Sequence, residues 1–166
     1  MTGDELRKTQ KPLKDEYKEN PEKAVITLKA EGKIGEGVSC SVDTGKAMVE
    51  AGLHPATGGN GMQACSGDML LEALAACAGV TMKAVATAIG VTLKSGTVLA
   101  EGDLDFRGTL AVAKDAPVGF KNISLTFDID SDATEEQKKT LLKLTERYCV
   151  VYQTLNNTPD FNVSIT

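Results

Sequence analysis

Tryptophan is absent, and with three tyrosines, four phenylalanines and a single histidine the chain has few large flat side chains from which to build a core. Ala, Val, Leu and Gly carry the packing instead, which implies a core of small, closely spaced groups. Basic clusters are also missing: no run of Lys and Arg interleaves with aromatic residues and the formal net charge is -5, which argues against a nucleic-acid groove. The opening stretch MTGDELRKTQKPLKDEYKENPEK has no apolar run, so it reads neither as a secretory signal nor as an Arg-rich, acid-poor transit peptide, and a cytoplasmic protein is expected. In that compartment four cysteines are expected to be reduced at rest, which disfavours a disulfide framework and leaves a transient redox-active pair as the more plausible use. No two of them form a C-x-x-C pair, so structural zinc is not expected. Gly58, Gly59 and Gly61 lack the spacing of a phosphate-binding loop and read as a flexible loop over a cleft. Neither an internal repeat nor a low-complexity segment is present.

What the chain does have is one long apolar stretch, Ser66–Gly90, SGDMLLEALAACAGVTMKAVATAIG. Ser66 is a good N-cap, Asp68 puts a carboxylate in the first turn, and Gly90 stands where a left-handed terminating residue is wanted, so the stretch predicts a helix. Between Met69 and Val85 only Glu72 and Lys83 are charged, and the apolar residues are distributed all round the helix, the pattern of a buried one. Glu72 interrupts the run, leaving segments short for a bilayer, and no membrane is expected as a partner. Cys77 lies near the middle.

At 166 residues the chain fits one domain. Residues 1–23 predict a helical arm with a narrow stripe of Leu6, Leu13 and Tyr17, and residues 24–166 the body. Asn20-Pro21 ends the arm. Ala24–Ala30, a turn at Glu31–Gly35 and Val38–Val42 predict a hairpin, with a short third strand at Lys46–Glu50. Leu53–Ala64 is a Pro- and Gly-rich loop. After the helix, Val91–Lys94 and Gly96–Val112 predict one long or two shorter strands, with Gly102 and Gly108 at bulges or bends. Ile123–Ile129 alternates as a strand with one buried face. Thr134 opens a capped helix running toward Arg147, Cys149–Leu155 a second short helix after a kink, and Phe161–Ile165 a closing strand. The fold class is therefore α+β, a mainly antiparallel sheet on a long buried central helix. One sheet layer shields one side of such a helix, so a second copy of the chain is expected to cover the rest as a homodimer.

A buried mid-helix cysteine is most often an inert small hydrophobe. Desolvation raises its pKa, so a reactive Cys77 needs a cation or donor beside it, and Lys33, Arg107 and Arg147 are the candidates. Cys65, next to the helix start, is a second candidate nucleophile or resolving thiol; Cys40 alternates with Val38 and Val42 as a core residue. His54, the single histidine, either lines a pocket mouth or acts as a base, a solvated loop position being the commoner outcome.

The two cysteine segments, LLEALAACAG and TERYCVVYQTL, resemble the signatures of the OsmC/Ohr superfamily of thiol-dependent hydroperoxide reductases, a resemblance that spans about Ala24 to Thr166. It implies that Cys77 is the peroxidatic cysteine and Cys149 the resolving one, that organic hydroperoxides are the substrates and a separate dithiol the reductant, that no metal, flavin or haem is required, and that the protein is an intertwined homodimer. Where many members of that superfamily read Cys-Pro-Val-Ser this chain reads CVVY, with Val150 for Pro and Tyr152 for Ser. Superfamily members of the organic-hydroperoxide branch hold the first cysteine with an Arg from an early hairpin and a Glu near the start of the helix; here Lys33 occupies a comparable turn, Asp68 is the nearest acid, one position out of register, and Glu72 follows a turn later. Arg147 and His54 complete the candidate activating or pocket residues. The alternatives are a non-catalytic protein of the same fold that binds a small apolar ligand, and an acyl- or thioester-handling enzyme with Cys77 as nucleophile.

Overall fold

The computed structural model describes residues 3–34, 40–42 and 51–165. Helix α1 (Gly3–Glu19) and a 3-10 turn (Pro21–Ala24) lead into strand β1 (Val25–Ile34), followed by β2 (Cys40–Val42), β3 (Ala51–Gly52), a second 3-10 turn (Pro55–Thr57), β4 (Ala64–Cys65), helix α2 (Ser66–Ala88), β5 (Leu93–Asp105), the single-turn helix α3 (Phe106–Thr109), β6 (Phe120–Ser131), and helices α4 (Glu135–Tyr148) and α5 (Val150–Asn156). Four strands form one sheet in the order β2-β1-β5-β6, and β3 and β4 form a separate two-stranded piece. In the large sheet β1 and β2 pair antiparallel, Gly32 opposite Val42 and Ile34 opposite Cys40. Along β5 and β6 partner numbers run in opposite directions, Thr92 meeting Asp132 and Lys94 meeting Asp130, the sign of another antiparallel pair. The predicted α+β class with a mainly antiparallel sheet is the fold observed; the small β3–β4 pair is parallel.

The chain folds as two units, through both of which α2, β1, β5 and β6 pass. One comprises Met1–Glu31, Asp43–Glu72 and Leu99–Thr126; the other Gly32–Val42, Ala73–Val98 and Phe127–Thr166. In the first, α1 is tied down by Tyr17, only 5% exposed, whose hydroxyl donates to the Ala56 carbonyl at 2.9 Å, and by Gln10, whose amide donates to the Thr57 carbonyl. The predicted apolar stripe of the arm thus seats its tyrosine on the loop that carries His54. In the second unit, Met82, Val85 and Ala86 of α2 pack with Val91, Leu93 and Leu141, and Phe127, Ile129 and Leu144 lie against that cluster. Alternation brings Phe127 and Ile129 to it while Thr126 and Asp128 face water.

Local signals explain the helix ends. Gly90 takes φ +73, and the N–H groups of Gly90 and Val91 return to the carbonyls of Thr87 and Ala86, a Schellman termination of α2. Thr134 and Gln137 form the reciprocal capping box of α4. At its start α2 begins at Ser66 itself, one residue earlier than a Ser66 cap implies.

Four expectations are corrected. The turn predicted at Glu31–Gly35 is strand as far as Ile34, because the period-two pattern of β1 continues and Lys33 and Ile34 still pair with β2. The strand predicted through Val112 stops at Asp105, whose carboxylate accepts the Arg107 N–H and caps α3; within β5, Gly102 leaves room for the Phe120 ring that any side chain would strike. Phe161–Ile165 is not a strand: it is irregular and Val163 and Ile165 are 92% and 100% exposed, since alternation supplies a sheet-ready edge but no partner to pair with. Finally, α2 is long and apolar enough to cross a membrane despite Glu72, because an 18-residue window tolerates one or two charges; here Leu71, Leu74, Ala75 and Ala78 are instead buried in protein. That burial is one-sided, with Met69, Leu70, Ala73 and Ala84 of α2 exposed in the single chain. The third strand predicted at Lys46–Glu50, the Val38 end of the second strand and the side chain of Cys40 lie outside the described residues.

Candidate active site

Helix α2 carries Cys77 half-buried in the second unit, and the junction of α4 and α5 carries Cys149, fully buried. Cys149 ends α4 with its N–H on the Thr145 carbonyl and begins α5 as its N-cap, with extended dihedrals (φ -72, ψ 108) and its Sγ accepting the Tyr152 N–H at 3.5 Å. The kink between the two helices places the first main-chain N–H groups of α5, which have no intrahelical partner, beside the α2 cysteine. The main-chain N–H groups of Val151 and Val150 and the side chains of Cys149 and Thr81 lie near the Cys77 sulfur, each acting to lower its pKa.

These contacts separate the two thiols electrostatically. Burial taken alone would push the Cys77 pKa up, but the N–H of Val151, the Cys149 thiol, the N–H of Val150 and the Thr81 hydroxyl outweigh it, and the Cys77 thiol lies below its ordinary value. Cys149 goes the other way: burial foremost, then the neighbouring Cys77 sulfur, push it up to about 11. The two neighbouring thiols are thus shifted in opposite directions, Cys77 down and Cys149 up.

None of the candidate helpers is among the groups that shift the Cys77 pKa. Lys33 is exposed at the end of β1, beside a polar hollow lined by Ser95, Thr97, Asp128 and Asp130. Arg147 is exposed on α4 with its guanidinium 5.5 Å from the centre of the Tyr148 ring. Arg107 belongs to the first unit, where it makes a two-pronged ion pair with the buried Asp105. Asp68, in the first turn of α2, has its pKa raised, burial outweighing the opposing influence of His54; Glu72 follows one helical turn on, half-buried. His54 accepts the Ala56 N–H on Nδ1 at 3.0 Å and stacks on Phe106 with ring centres 5.0 Å apart. Together with Cys65, Leu70, Val118 and Phe120 it lines an apolar hollow of about 410 Å³ in the first unit. Among the described residues no group of His, Cys, Asp and Glu is arranged to hold a metal ion.

Sequence reasoning missed the donors that reach Cys77. Thr81 had a signal, its spacing of four residues from Cys77 on one helix. The N–H groups of Val150 and Val151 had none, since main-chain donors are the same for every non-proline residue.

A long helix against an antiparallel sheet, with one cysteine on that helix and a second on a following helix pair, defines an α+β protein with a paired-thiol centre. Solved structures share this fold: an OsmC-like hydroperoxide resistance protein from Jannaschia sp. CCS1 is similar with a TM-score of 0.63 and 18% identity, over 86% of this chain and 94% of that one. An OsmC-like protein from Mycoplasma pneumoniae is similar with a TM-score of 0.56 and 19% identity, over 81% of this chain and 86% of that one. No match was found among curated proteins. The family model for OsmC-like proteins matches residues 58–164, more than half of the chain, and the protein belongs to the OsmC-like family.

Proposed function

We propose that this protein is a thiol-dependent peroxidase that reduces organic hydroperoxides to alcohols, in the service of oxidative-stress defence. The observation that carries the reading is the opposed state of the two thiols in contact: a Cys77 sulfur surrounded by donors and a Cys149 thiol buried and kept protonated. Cys77 thiolate attacks one oxygen of the O–O bond; that bond breaks, the sulfur is oxidised to a sulfenic acid, and the second oxygen leaves as an alcohol after taking up a proton. Cys149 then attacks the oxidised sulfur, forming the disulfide and releasing water. An external dithiol reduces the disulfide and takes the two electrons' worth of oxidation away.

Full ionisation of a thiol gains only about one to one and a half powers of ten at neutral pH, so most of the rate must come from holding the peroxide in line and stabilising the departing oxygen. The groups that reach Cys77 are uncharged, and Val80 on the next turn is apolar, which favours a greasy peroxide over hydrogen peroxide. A homodimer fits the one-sided burial of α2, a second copy covering Met69, Leu70, Ala73 and Ala84. A cytoplasmic site suits the need for a dithiol reductant.

The test is intact mass and peptide mapping of the reduced protein after one equivalent of cumene hydroperoxide, with Cys77→Ser and Cys149→Ser beside it. A Cys77–Cys149 disulfide in the native protein and a trapped sulfenic acid in Cys149→Ser are expected. If both thiols survive while the peroxide persists, the reading fails. The apolar hollow beside His54 is then the place to look for a bound ligand, the observation that favours the non-catalytic alternative.

A further inference from the structure

Helix α4 carries Lys139, Lys143 and Arg147 four residues apart, a spacing that stacks the three cations along one exposed stripe. Leu141 and Thr145 are buried on the other side of the helix. Like charges at this spacing repel, and the usual remedy is an acid three or four positions away. Lys138 has one, in Glu135 at 2.9 Å, as Lys11 of α1 has Asp15. Glu136 and Glu146 are exposed three positions from Lys139 and Lys143, yet among the described residues no ion pair holds any of the three cations; Arg147 lies over the ring of its neighbour Tyr148. The helix dipole favours Arg147, in the last turn, but its influence does not extend back to Lys139 and Lys143. The stripe is therefore an arrangement that the helix by itself does not favour.

It runs toward the buried Cys149, which follows Tyr148. Arg147, Tyr148, Val150 and Gln153 line a groove of about 430 Å³ at the junction of α4 and α5, where Tyr148 and Val150 are 57% and 71% exposed. Arginine and tyrosine are the side chains that most often anchor protein interfaces, and cations at the rim select and steer an acidic partner. The chain as a whole carries a net charge of -5, so an extended polyanion such as a nucleic acid or an anionic bilayer is repelled by the rest of the molecule, whereas a partner with a small acidic patch meets the stripe alone.

We propose that this face of α4 is the docking surface for the dithiol that reduces the Cys77–Cys149 disulfide, and that this reductant is a protein whose thiols are flanked by acidic side chains. The proposal rests on the reading of Cys77 and Cys149 as a redox pair. In the exchange one partner thiolate attacks the disulfide, the Cys77–Cys149 bond breaks and a mixed disulfide forms. The second partner thiol then displaces the first, leaving the partner's own disulfide, and the two thiol protons of the partner end on Cys77 and Cys149.

The experiment uses two probes, peptides with the core Cys-Gly-Pro-Cys flanked on each side by three glutamates or by three lysines. Each reduces the protein after oxidation by diamide and mapping of the Cys77–Cys149 disulfide, in 0.01 M and in 1 M salt, where charges reach over about 30 Å and about 3 Å. A net charge of -5 by itself favours the lysine peptide, so the sign of the preference is diagnostic. The glutamate peptide should react about tenfold faster than the lysine peptide at low salt, and the preference should disappear at high salt. The triple variant Lys139→Gln, Lys143→Gln, Arg147→Gln should lose or reverse it, whereas Lys8→Gln, Lys14→Gln, Lys18→Gln, which takes the same charge from α1, should keep it. Equal rates for the two peptides on the native protein, or a glutamate preference that survives in the α4 variant, overturns the proposal, as does a protein in which diamide forms no Cys77–Cys149 disulfide. Phosphatidylserine vesicles that bind the native protein but not the α4 variant, with the peptides indistinguishable, would assign the stripe to a membrane and overturn it too. If the preference appears while cumene hydroperoxide is not consumed, the docking surface stands and the peroxidase reading falls; if the peroxide is consumed and the peptides react alike, the docking proposal falls alone.

Discussion

Cys149 is the group whose pH behaviour the proposed chemistry exposes most directly. Burial and the nearby Cys77 sulfur push its pKa up to about 11, and it must ionise to attack oxidised Cys77. At pH 7.5 a thiol of that pKa is ionised to roughly 3 parts in 10,000, against roughly one in ten for a free cysteine of pKa about 8.5. The more basic thiolate is intrinsically better by a factor of about 13, so disulfide closure should run about 20-fold slower than with an unperturbed thiol in the same place. Oxidation of Cys77 removes the influence of its thiolate and leaves burial, which makes 20-fold an upper figure; the slope is independent of it. As long as the pH stays below the Cys149 pKa, closure should quicken about tenfold per pH unit. Sulfenic acid formation should instead level off once the pH exceeds the lowered Cys77 value. Rapid mixing with one equivalent of cumene hydroperoxide, followed by dimedone trapping and mass mapping from pH 6.5 to 8.5, separates the two steps. A closure rate that is flat across that range would refute the reasoning, because it requires a Cys149 already ionised, contrary to its burial.

Three further outcomes concern stability. Arg107→Gln leaves the carboxylate of Asp105, 1% exposed, without its ion pair and should cost about 3 kcal/mol, the low end for breaking a buried pair because the Arg107 side chain is 27% exposed. Since the Arg107 hydrogen bond holds Asp105 below its ordinary carboxylate pKa, that contribution is full above about pH 4 and disappears as the pH falls through the lowered value; urea midpoints of native and variant protein should converge on acidification. Leu141→Ala empties a fully buried site against Met82 and Leu93 and should cost about 2–5 kcal/mol in chemical denaturation. Ala111→Gly, at φ +54, relieves a left-handed alanine and should raise the thermal midpoint, a gain of about 0.5–1 kcal/mol after the flexibility of glycine in the unfolded chain is offset.

The sequence by itself determined whatever depends on neighbours along the chain. The length of α2, its termination at Gly90, the capping box at Thr134 and the alternation of Leu125, Phe127 and Ile129 follow from main-chain hydrogen bonds within a few residues and from apolar periodicity and appear as predicted, whereas Ile123, expected on the same buried face, is 37% exposed. Resemblance named two cysteines; nothing in their spacing of 72 positions said that they would come to lie side by side. Tertiary structure decided that proximity, and it brought a threonine and two main-chain amides near Cys77 while Lys33 and Arg147 stand exposed. It also left Phe161–Ile165 without a strand to join. The physical reason is common to these cases: periodicity records which side of an element is apolar, whereas the partner of a sulfur, an N–H or a strand edge depends on where a distant segment comes to rest, and main-chain donors carry no side-chain signature by which to foresee it.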